Sequence, residues 1–121
     1  MRDTQLDTGS ADTDYWSLTM QEKYNDAQLS RVIDQALVYQ CACPAQVCRT
    51  IFELRELYAY QMNCANDNAN DRLVHEAIAA EAKASHEGME QCLTRVLEIE
   101  GWDPVTLILP EALRKKMVKN F

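Results

Sequence analysis

At 121 residues, with 47% hydrophobic and 26% charged residues, the chain has the composition of one ordinary globular domain. Its formal net charge of −7 excludes the basic footprint that nonspecific nucleic-acid binding needs. Three glycines and three prolines leave few helix breakers, so the fold class that follows is all-α, built from long helices.

Residues 1–13 are polar and acidic and read as a flexible tail, followed by a single helical domain over 14–121. The first residues contain no apolar core of the kind a signal peptide carries. No stretch approaches the roughly 20 apolar residues that cross a bilayer. The expectation is a cytoplasmic protein with no membrane contact, in which cysteines are reduced thiols or metal ligands rather than structural disulfides.

Thr19, Met20, Gln21 and Glu22 have the T-x-x-E spacing of a capping box and place a helix start there. Leu29, Val32, Ile33, Ala36, Leu37 and Gln40 then recur at steps of three and four, one face of a helix ending near Cys41. Pro44 disfavours helical geometry at Cys43 and suits the first position of a new helix, which makes Cys43 its N-cap. The second helix runs to about Cys64, with Val47, Ile51, Leu54, Tyr58 and Met62 on one face. The Asn- and Asp-rich run over 63–71 is a turn, and a third helix follows to Glu100, stopped by Gly101. The firmest helical spans are 26–40, 46–62 and 72–99.

Beyond Gly101, Asp103 and Pro104 cap a short further turn, 105–109 has the composition of a strand with no partner to pair with, and 110–117 is a small terminal helix. Arg114, Lys115, Lys116 and Lys119 suit the end of that helix through its dipole. Short connections make the long helices antiparallel neighbours, so the architecture is a helical hairpin extended to a three- or four-helix bundle.

On the third helix Val74, Ala77, Ile78, Glu81, Ser85, Gly88, Cys92, Val96 and Ile99 fall on one stripe at 100° per residue. Taken as the core face, this stripe buries Glu81, which then needs a polar partner such as Arg55 or a tyrosine, or a role as ligand or acid. A second face carries His75, His86 and Glu90 with Ala79, Ala82, Leu93 and Leu97. It is read either as a second site or a seam for another helix, using His86 and Glu90 at i,i+4, or as histidines at the edge of a core, hydrogen-bonded to neighbours.

Cys41, Cys43 and Cys48 lie within eight residues, and clustered thiols point to a soft metal, an iron–sulfur cluster or thiol–disulfide chemistry. A turn centred on residues 67–68 places residue 43 near Cys92. The expected metal site is therefore Cys41, Cys43, Cys48 and Cys92, a donor set suited to zinc or to an iron–sulfur cluster. Cys43, at the positive end of a helix dipole, is the thiol best placed for redox chemistry. Cys64 is sixteen residues of helix from Cys48, roughly 24 Å, and stands apart.

No H-E-x-x-H pair, phosphate loop, Ser/His/Asp ordering or di-iron E-x-x-H pair occurs, so nothing supports an enzyme in its own right. The leading expectation is a metal- or cluster-binding protein serving electron transfer, cluster carriage or a larger enzyme. The alternatives are a helical protein–protein interaction module with structural thiols, and a thiol-based metal or redox sensor. The small-residue segment of the third helix, with the adjoining His75/His86 face, suggests the contact surface of a homo-oligomer or larger complex. Trp16, Tyr24 and Trp102 stand near helix ends, as partner anchors or as caps on the core.

Overall fold

The computed structural model describes residues 20–38 and 42–113. Among them the protein is all-α, with helices α1 (Asp26–Val38), α2 (Cys43–Asn63) and α3 (Ala69–Glu100) and no strand. None of these helices is long and apolar enough to cross a membrane. Cys41, Trp16 and residues 1–13 lie outside the described residues, as do Thr19, the 114–119 patch and the end of the terminal helix, whose first turn is present at 111–113.

Helix ends follow local chemistry, although not always at the expected residue. Asn25 and Gln28 cap α1 reciprocally: Gln28 N–H donates to Asn25 Oδ1, and Asn25 N–H donates to Gln28 Oε1, both at 2.8 Å. The helix thus starts later than the Thr19–Glu22 spacing implies, and residues 20–25 form a non-helical strap. Cys43 is the first residue of α2 rather than its N-cap. Ala42 precedes it in a helical conformation without a side-chain cap, and Pro44 lies within the first turn. Asn68 caps α3 by accepting from Asp71 N–H at 2.9 Å, and Gly101, at φ 87°, ends it in the left-handed conformation a side chain would resist.

Helices α2 and α3 run antiparallel: Cys48 shares a core with Leu93 and Leu97, Arg55 bonds His86, and Tyr58 packs with Ala79 and Ala82. This register is offset from that of a tight turn at 67–68. Asn66 already lies beside His75, whose Nδ1 is 2.7 Å from Asn66 Oδ1, so the connection climbs alongside the first turns of α3.

The core face of α3 also differs from the expected stripe. Ala79, Ala82, His86, Glu90, Leu93 and Leu97 are the buried residues, whereas Val74 is 54% and Ile99 74% exposed. Glu81 is exposed, accepts from Ser85 Oγ at 2.9 Å, and does not pair with Arg55. The two stripes are similar in apolar content, and periodicity cannot rank them. The neighbouring helix selected the one bearing Leu93 and Leu97.

After Gly101 the chain folds back over the end of the pair. Trp102, Leu107 and Leu109 enter the core with Tyr24, Leu29, Val32, Cys48 and Ile51. The 105–109 segment is a looped cover rather than a strand. Asp103 Oδ1 accepts from Val105 and Thr106 N–H, both at 2.8 Å, which holds its carboxyl below the usual range. Gln35 of α1 stands in for a strand partner: its Nε2 donates to Leu107 O at 2.7 Å, and its Oε1 accepts from Leu109 N–H at 2.8 Å.

Candidate functional site

Of the four expected metal ligands, Cys41 lies outside the described residues. Cys43 is an exposed free thiol at the start of α2, and Cys92 is an exposed free thiol on the outer stripe of α3. Cys48 is sealed in the core among Leu29, Val32, Ile51 and Leu93. Burial pushes its thiol up to about 12, the nearby Arg55 charge opposing this only in part. It packs as a small hydrophobe. Among the described residues no three His, Cys, Asp or Glu side chains gather as metal ligands do. Cys64 is half-buried near the other end of α2, and its thiol meets the Tyr60 hydroxyl, raising the Tyr60 pKa.

The polar side chains that do converge are Arg55 on α2 and His86 and Glu90 on α3. They lie beneath the 20–25 strap. Arg55 donates from all three nitrogens: Nε to His86 Nε2 at 2.9 Å, Nη1 to Asp26 Oδ1 at 2.7 Å, and Nη2 to Tyr24 O at 2.5 Å and Glu90 Oε2 at 3.2 Å. The carboxylate of Glu22 lies 3.5 Å from Arg55 Nε. Glu90 Oε2 further accepts the backbone N–H groups of Lys23 and Tyr24 at 2.8 and 3.1 Å. Tyr24 completes the clasp through a 2.6 Å hydroxyl contact with Thr94.

His86, 1% exposed, is neutral in this arrangement. Its Nε2 accepts from Arg55, so the ring proton sits on Nδ1, facing Glu90 Oε1 at 3.8 Å. Burial is the main cause lowering its pKa; Glu90 opposes the shift, Arg55 adds to it, and Glu22 opposes it. A buried Arg–His–Glu set with these bonds ties the strap to both helices. The adjoining cleft, about 380 Å³, is lined by strap residues Met20–Lys23 with Lys83, Glu87 and Gln91.

The i,i+4 spacing of His86 and Glu90 is visible in the sequence, and both side chains are buried and hydrogen-bonded to Arg55, as histidines at the edge of a core would be. Arg55 was visible only as a candidate partner for Glu81. Its true partners lie 31 and 35 residues away, and no local signal marks them.

The other described residues leave a different surface uncovered along α2 and α3. A groove of about 300 Å³ runs between them, lined by Leu54, Leu57, Ala77, Ile78, Glu81 and Ala82. Leu73, Val74 and Ile99 extend the apolar surface along α3. Helix α1 has 13 residues against 32 in α3, about 20 Å against 48 Å, and covers only part of the pair.

Compared with known proteins, the chain matches no protein family, no curated protein and no solved structure.

Proposed function

We propose that this protein is a helical protein–protein interaction module whose working surface is the α2–α3 groove and the outer stripe of α3, with Cys48 serving the core. The carrying observation is that Leu57 and Ile78 line a groove that the described residues leave uncovered, with Leu73 and Val74 exposed one turn further along α3, on helices fixed by a core and a clasp elsewhere. An apolar surface of this kind loses its hydration penalty when a partner covers it, at about 25 cal/mol per Å². A cytoplasmic setting fits this reading, because reduced thiols persist there.

The test is site-specific photocrosslinking in the native host, with benzoylphenylalanine in place of Ile78 and a control at exposed Glu53. An adduct from position 78 that is absent from the control is expected. No adduct at either position sinks the reading.

Binding of zinc or an iron–sulfur cluster by Cys41, Cys43, Cys48 and Cys92 asks for a rearranged α2, because Cys48 would have to leave the core and lose its proton. Stoichiometric zinc, or iron with acid-labile sulfide, in protein purified without oxygen would establish that reading in its place.

A further inference from the structure

Resting on the interaction reading, we propose that the groove is covered by a second copy of this chain. The two α3 helices pack antiparallel about a two-fold axis between Ser85 and Gly88, and two α2–α3 pairs form one four-helix bundle.

The stripe at 74, 78, 81, 85, 88, 92, 95 and 99 alternates steps of four and three, the spacing of a helix–helix seam. From its centre outwards, the positions an antiparallel copy brings together are Ser85 with Gly88, Glu81 with Cys92, Ile78 with Arg95 beside Val96, and Val74 with Ile99. Small side chains fall at the axis and large apolar ones at the ends, on a helix whose own midpoint is close to the same place.

Gly88 is the second observation. A mid-helix glycine costs about 0.5–1 kcal/mol against alanine. Here a Cβ at Gly88 would meet nothing within 4 Å, so the single chain has no steric use for its absence. A second helix approaching to the 8–10 Å of ordinary packing supplies one.

Charge sets the direction. Antiparallel pairing puts Glu81 within a turn of Arg95 of the second copy, and symmetry makes the contact twice. Parallel pairing in register would face Glu81 with Glu81 and Arg95 with Arg95. Leu54 and Leu57 of α2 flank the seam and meet the second α3.

Sedimentation of the wild-type chain at tens of micromolar, with two sets of variants, provides the test. A dimer is expected. Glu81→Arg and Arg95→Glu each weaken it about tenfold or more, and the double variant restores it. In a background lacking Cys41, Cys43 and Cys64, Glu81→Cys forms a disulfide-linked dimer through native Cys92 on oxidation, and Cys92→Ser abolishes it. Cys92 alone gives no link, because the two copies of residue 92 lie about 16 Å apart along the axis, beyond disulfide reach. A Cys92–Cys92 link would overturn the antiparallel arrangement, and a monomer would overturn self-pairing altogether. A position-78 adduct in the host with a mass other than twice the chain would then leave the interaction reading standing without this occupant.

Discussion

Around Cys48, side chains from α1, α2, α3, the strap and the 102–109 loop close over one another, and Leu29, Val32, Ile51 and Leu93 are wholly buried. Around the 64–68 connection the same two long helices meet through Tyr58, Ala79 and Ala82, backed by Met20 and Met62, with no third helix above them among the described residues. Leu57, Tyr60, Leu73 and Val74 are exposed in that half. Tyr58 hydroxyl and Gln61 Oε1 are buried there without a hydrogen-bond partner among the described residues. One half holds itself together, and the other presents a surface. The clasp at Arg55 sits where the two meet.

The largest effect is expected at that junction. Arg55→Ala leaves Glu90 buried without its cation and His86 without its donor, a loss of about 3–5 kcal/mol in urea unfolding. A loss below about 1 kcal/mol would show that the clasp contributes little. In the packed half, Ile51→Ala or Leu93→Ala opens a cavity and should cost about 2–5 kcal/mol. In the thin half, Leu57→Ser and Leu73→Ser should change monomer stability by no more than about 0.5 kcal/mol. Comparable losses in both halves would erase the distinction.

Acidification sharpens the comparison further. The His86 pKa is lowered from 6.5, so the unfolded chain takes up this proton first. Stability from the site is full above about pH 6.5 and falls as pH drops below that value. A protonated ring would lose its acceptor at Nε2 and place a cation beside Arg55. The carboxylates of Glu90, Glu22 and Asp26 also face the clasp. His86→Gln should flatten the decline between pH 6.5 and 5, measured as midpoint against pH. An unchanged slope would assign it to other groups.

A second pH dependence lies at the alkaline end. With Cys48 raised from 9.0 to about 12, the unfolded chain loses its thiol proton first, so this stability is full below pH 9 and drains from 9 towards 12. Cys48→Ala should remove that pH dependence while opening a small cavity. At dilutions where the chain is monomeric, thiol labelling should find Cys43 and Cys92 reactive in the folded protein and Cys48 protected until it unfolds; pairing of two copies should slow labelling of Cys92 alone.

Helix spans were legible because they depend on neighbours within four residues. Gly101 stops α3 and Asn68 caps it whatever lies alongside. The clasp was only half legible: His86 and Glu90 share a helix face, but Arg55 reaches them across a hairpin whose register depends on how the 64–68 connection climbs. The thiols show the same limit. Proximity in sequence grouped Cys43 and Cys48, yet five residues are enough to turn one to solvent and the other into the core.

From sequence alone came the helical class, the near-absence of breakers, the isolation of Cys64 and a third helix with two apolar faces. Each is a matter of composition or of spacing along one helix. Only tertiary structure decided which face of α3 is inside. Leu93 and Leu97 oppose Cys48 and Ile51, so burial falls there, and the stripe with Glu81 and Gly88 is turned outward. Hydrophobicity is non-directional: it requires that one face be covered, and the helix packed beside it determines which.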